Sequence, residues 1–241
     1  MRRGYAVRND IGGMAKQKHG KAGQAMKTDE LIGMLATNIG AESGYARAGA
    51  SQRFLLALGW GAFGSTLLMA VLLGVREDLR DAALLPMFWV KLAFPLSLAI
   101  AALFASERMG RPGMLLGRVR VALFVPVAII WVLAAVSLAG ASGAEREGLV
   151  YGQSWKECQQ SIALLSLPML VASFWAMRGL APTRTRLAGG MAGLLAGAVG
   201  AAAYALHCPE LAAPFLGAWY LIGMLIPALA GALVAPLLLR W

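Results

Sequence analysis

The sequence predicts an all-α, polytopic membrane protein: a bundle of six spanning helices preceded by a short cytoplasmic amphipathic helix. Two observations carry the prediction. Of 241 residues, 59% are hydrophobic and 14% charged, whereas a soluble domain carries about a quarter charged residues. A hydrocarbon core about 30 Å thick calls for about 20 apolar residues per helix, and windows of that size recur along the chain. They cover residues 54–75, 86–105, 121–140, 161–177, 187–206 and 215–239, and Lys91 is their sole Lys, Arg, Asp or Glu. None shows the alternation of a membrane β-barrel strand.

Residues 1–25 combine basic residues with glycine and show no apolar periodicity, which predicts a basic disordered extension. Translation starting at Met26 is an alternative expectation. Residues 26–52 form a second region. In MKTDELIGMLATNIG, Thr28 suits an N-cap, Asp29 and Glu30 suit the positive end of a helix, and Leu31, Ile32, Leu35 and Ile39 share one face. A helix of about three turns is marginal alone and must bury that face. Membrane-surface helices flank the apolar stripe with Lys and Arg. Acidic residues stand there instead, so a protein partner with a basic rim fits better than the bilayer surface. Residues 40–52, rich in Gly, Ala and Ser, read as a tether to the membrane domain, 53–241.

The first apolar window begins beyond residue 50, is too long for a signal peptide and lacks an Ala-x-Ala cleavage site, so it is expected to be retained. Orientation follows the cationic flanks. Arg2, Arg3, Arg8, Lys16, Lys18, Lys21, Lys27, Arg47 and Arg53 precede the first helix. Arg108, Arg111, Arg118 and Arg120 lie between the second and third, and Arg178, Arg184 and Arg186 between the fourth and fifth. These segments are expected in the cytoplasm, together with both termini. The alternate loops balance Arg76 and Arg80 with Glu77, Asp78 and Asp81, and Arg146 and Lys156 with Glu145, Glu147 and Glu157. The last holds Glu210 alone. These loops are expected on the outer face, which in a bacterial inner membrane is periplasmic. The +10 net charge therefore reports topology, and no groove-reading or aromatic pattern supports direct nucleic-acid binding.

Gly189, Gly193, Gly197 and Ala201 recur every four residues in the fifth helix, a stripe along which a neighbouring helix can approach closely, or a second copy in a homo-oligomer. Lys91, five residues beyond Pro86, is expected to snorkel to the outer headgroups. No intramembrane Asp or Glu marks a transport path, and no HExxH, GxSxG, P-loop or Rossmann fingerprint marks an enzyme or a cofactor site.

The chain has two cysteines. Cys158 is placed before the fourth helix and Cys208 after the fifth, on the same outer face. A structural disulfide is one reading. The other is a sensor, in which the thiols, with Glu157, His207 and Glu210 as neighbours, take up a thiophilic metal or are oxidised. The absence of CxxC disfavours a disulfide oxidoreductase.

The MKTDELIGMLA stretch, the six spans and one outer cysteine in each of the last two external loops together resemble the NrsF family of bacterial membrane anti-sigma factors. These restrain an extracytoplasmic-function sigma factor of the sigma-F type. The resemblance implies that Thr28, Asp29, Glu30, Leu31, Ile32 and Leu35 help hold the sigma factor at the inner face. It further implies that Cys158 and Cys208 register heavy-metal or oxidative stress outside and trigger release. The fifth helix is then a candidate lever, with Cys208 beyond its outer end and Arg184 and Arg186 at its inner end. Two alternatives remain at this point: a small transporter or metal efflux component, and a structural bundle with a disulfide staple.

Overall fold

In the computed structural model, long apolar helices carry internal prolines and pack through glycines. The structure describes residues 33, 52, 55–110, 116–178 and 182–239. Thr28, Asp29, Glu30, Leu31, Ile32 and Leu35, with the whole 1–25 extension, lie outside the described residues. The chain divides into two compact units, Met1–Ala48 and Gly49–Trp241, and the described helices belong to the second.

Six helical stretches are long and apolar enough to cross a membrane. The first is α1 (Leu55–Leu72). It ends at Gly74, whose φ of 76° is a turn conformation open to glycine. After the short α2 (Leu79–Ala82), α3 (Pro86–Met109) starts with proline at its first position, where the missing N–H costs nothing. Pro95 sits inside α3, so the carbonyl of Lys91, four residues back, loses its helical partner. The third span is α4 (Val119–Gly140), of which only Val119 and Ile130 are buried. Phe124, Val132 and Val136 face outward, as a helix apolar on all sides does in lipid.

The fourth span departs from the window 161–177. The helical stretch covers Gly143–Met177 in three pieces, α5 (Gly143–Tyr151), α6 (Trp155–Leu165) and α7 (Leu167–Met177). Exposed charges such as Glu145, Arg146, Lys156 and Glu157 lower the hydropathy of its first half, although that half is helical. The Ser142 N–H donates to the Glu145 carboxylate at 3.0 Å, closing the first turn of α5. The α6–α7 break falls at Ser166, next to Pro168.

The fifth span, α8 (Thr185–Tyr204), is the axis of the bundle and the most deeply buried helix, packed by α3, α6, α7 and α10. Its small residues permit this. A Cβ on Gly189, Gly193 or Gly197 would collide with α10 (Leu221–Leu238), at Gly231 and Ala235, at Pro227 and Ala228, and at Met224 and Pro227 respectively. On another face, a Cβ on Gly200 would come within 2.9 Å of the Ile162 carbonyl and the Ser166 nitrogen. Lipid offers no hydrophobic drive between helices, so this backbone-to-backbone proximity and its dispersion contacts hold the pair together.

The sixth span combines α9 (Ala213–Phe215), a π-helical turn at Leu216–Tyr220 and α10. A π-turn adds a residue to the helical register and re-aims the side chains around it. Here Tyr220 is fully buried while Trp219, one residue earlier, donates to the Val150 carbonyl at 2.7 Å.

Candidate functional site

Three segments, 73–85 with α2, 141–154 with α5 ahead of the main body of the fourth span, and 205–212, meet at one end of the bundle. The Arg76 N–H donates to the Leu206 carbonyl at 3.3 Å. His207 Nδ1 lies 3.0 Å from the Gly74 carbonyl, so that nitrogen carries the proton and donates. The Gln153 N–H donates to the Glu210 carboxylate at 2.8 Å. Gly152, with φ 53°, lets that carboxylate lie against its Cα, since a Cβ would sit 2.7 Å from it.

Beneath these loops lies a buried polar cluster. Cys158 and Cys208 are both free thiols with no exposed surface, and they belong to one continuous core with Tyr204, Phe215, Leu216 and Tyr220. The same core encloses Lys91, which is also 0% exposed. Its amino group donates to the Cys208 carbonyl at 2.5 Å and the Glu210 carbonyl at 2.8 Å. It also lies 5.7 Å from the centre of the Tyr220 ring, a cation–π distance. The Cys208 thiol neighbours both Lys91 and Tyr220.

Arg76 closes the cluster from the loop side. Its Nη1 donates to the Cys208 carbonyl at 3.3 Å, and its other nitrogens form a bidentate pair with Asp78 at 2.6 and 2.7 Å. Two cationic side chains from different segments therefore share one backbone oxygen, that of Cys208. The Arg76 guanidinium, through its hydrogen bonds, holds the exposed Asp78 carboxyl below its ordinary value of 3.8. Asp78 in return raises the pKa of Arg76.

Several sequence expectations change here. Lys91 does not snorkel; it turns inward, because two loop carbonyls and an aromatic face solvate it inside the protein. Cys158 is not in a loop but in the first turn of α6, a helix hidden from hydropathy by Lys156 and Glu157. Glu157 is exposed, His207 is committed to Gly74, and Glu210 to Gln153. Among the described residues no three His, Cys, Asp or Glu side chains form a group able to hold a metal, so the arrangement of two thiolates and an imidazole is not assembled. The residues that sequence reasoning missed are Lys91, Arg76 and Tyr220. One signal was present, since an intramembrane cation is a functional candidate by default.

Comparison with known proteins bears on 90% of the chain. No solved structure matches it. The "Probable anti-sigma-F factor NrsF" of Azospira oryzae is 54% identical over 216 residues, covering 90% of this chain and all of that protein. The "Anti-sigma-F factor NrsF" of Caulobacter vibrioides is 39% identical over 222 residues, again covering 90% of this chain and all of that protein. Residues 40–241 match the NrsF family, described as negative regulator of sigma F, and with these relatives at full length the chain belongs to that family.

Proposed function

We propose that this protein is a membrane anti-sigma factor. It sequesters a sigma factor of the extracytoplasmic-function, sigma-F type at the cytoplasmic face of a bacterial inner membrane. It releases that factor when thiophilic metal or oxidant reaches Cys158 and Cys208 from the periplasm. The names of the two relatives and the family description support the regulatory half. The observation that supports the sensory half is the burial of both cysteines of the chain, as free thiols, in one continuous core. Segments distant in sequence converge there, and modification of either thiol would disturb a packed, hydrogen-bonded core. Residues 26–52, with Thr28, Asp29, Glu30, Leu31, Ile32 and Leu35 on the acidic helix, are the proposed sigma-binding region. Such a switch requires two arrangements of the bundle, each favoured by a different thiol state.

The test replaces Cys158 and Cys208 with serine in the full chain and follows transcription dependent on the sigma factor, with and without cadmium or oxidant. Repression that persists under stress is the expected result. A normal stress response in the double variant would remove the sensor assignment. Capture of the sigma factor by the full chain, lost when residues 26–39 are deleted, tests the inner site separately.

A further inference from the structure

We propose that Lys91 is the positioning residue of this thiol pair: it clamps the Cys208–Glu210 segment over the Cys208 thiol and ties the state of that cysteine to α3. The inference rests on the reading of the thiols as the input site, and extends it to the element that moves.

A cation taken out of water costs several kcal/mol unless its donors are satisfied. Lys91 has no exposed surface, and the ion pair between Arg76 and Asp78 leaves it no carboxylate partner among the described residues. What satisfies it are the carbonyls of Cys208 and Glu210 and the Tyr220 ring. All three come from the segment that carries Cys208 and from the helix it leads into. The arrangement is therefore demanding in both directions. A shift of the Cys208–Glu210 backbone takes carbonyl partners from a buried amino group, and loss of the amino group leaves the Glu210 carbonyl without its donor and the Cys208 carbonyl with Arg76 alone. A thiol drawn into a new bond carries its own backbone with it, so Lys91 registers the change at once.

The second line of argument is the helix on which Lys91 stands. Pro95 frees the Lys91 carbonyl from its helical hydrogen bond, so α3 is loosened at the turn bearing Lys91. From there α3 continues to Met109, at the opposite end of the bundle. Arg108 in its last turn reaches the Leu116 carbonyl of the next connection at 3.4 Å. By contrast α8 is buried on most sides, with its glycines in backbone contact with α10 and α6. A helix so enclosed is the bundle's fixed axis, and α3 is the element with both a grip on the thiol segment and a built-in flexure.

The experiment uses the full chain in native membranes, comparing the parent with Lys91→Met, which keeps length without charge, and Lys91→Arg, which keeps a cationic donor. Each is treated with N-ethylmaleimide, and the labelled cysteines are assigned by peptide mass spectrometry. A buried reporter, Ser106→Cys in the inner half of α3, is introduced into all three. Labelling of Cys208 is expected to rise about tenfold or more in Lys91→Met and to stay within about threefold of the parent in Lys91→Arg, with the reporter unchanged, as for local opening. Transcription dependent on the sigma factor is expected to rise in Lys91→Met without any stress. Equal exposure of the reporter would show general loosening and overturn the proposal. So would unchanged Cys208 labelling, an arginine variant that behaves like methionine, or altered labelling without derepression where deletion of the whole chain does derepress. A strain lacking the chain altogether separates the two readings. If it too shows no derepression, the anti-sigma reading fails, while the labelling result still decides the clamp.

Discussion

The carbonyl oxygen of Cys208 accepts from Lys91 in α3 and from Arg76 in the α1–α2 connection. Arg76 is itself oriented by the exposed Asp78, and this pair supplies a direct readout of the loop arrangement. Because the folded pKa of Asp78 is depressed, its stabilising contribution is present above the unfolded value and disappears as pH falls through the folded one. The pair is thus intact across neutral pH and dissolves only in acid. Replacing Arg76 with methionine should return Asp78 to the ordinary carboxylate range, measured by NMR titration of an isotope-labelled aspartate. An Asp78 pKa unmoved by the substitution would show that the bidentate pair does not form.

At the scale of the element, the α8–α10 contact makes a sharp contrast between two glycines one turn apart. A methyl group on Gly193 would run into the Pro227 carbonyl and lie 2.7 Å from the Cα of Ala228, which is backbone and cannot yield. On Gly190 the nearest atom would be Ala232 Cβ at 3.5 Å, ordinary contact. Gly193→Ala should therefore destabilise by about 1–3 kcal/mol, the usual cost of overpacking, and lower the melting temperature in detergent. Gly190→Ala should be neutral or slightly stabilising, since alanine is the better helix former. Equal melting temperatures for the two variants would mean that the helices are not in backbone contact at Gly193.

For the whole molecule, three connections converge at one end of the bundle, and the cationic flanks predict that this end is the translocated one. Reporter domains fused in segments 76–85, 141–154 and 208–212 should be active only if translocated, as alkaline phosphatase is. Fusions within 111–118 and 179–184 should be active as cytoplasmic fluorescent proteins. An active phosphatase in either of the latter segments would invert the topology and place the thiol cluster on the sigma-factor side.

The sequence by itself determined the all-helical membrane architecture and the six spans, because a helix in lipid must be apolar over a length set by the bilayer. Hydropathy and length are local properties that a window can read. It also carried the regular spacing of Gly189, Gly193 and Gly197, since a four-residue repeat lies along one face of a helix. It did not carry the extent of the fourth span, where Lys156 and Glu157 on the exposed side mask the helix that buries Cys158. Nor did it carry the fate of Lys91. Whether a lysine near the end of a span turns to headgroups or to the interior depends on what faces it. What faces it are carbonyls of a loop 117 and 119 residues further along the chain. Only tertiary structure brings those oxygens, the Tyr220 ring set by the π-turn and the two thiols around one amino group, because partners so distant in sequence are joined by packing and leave no periodic trace.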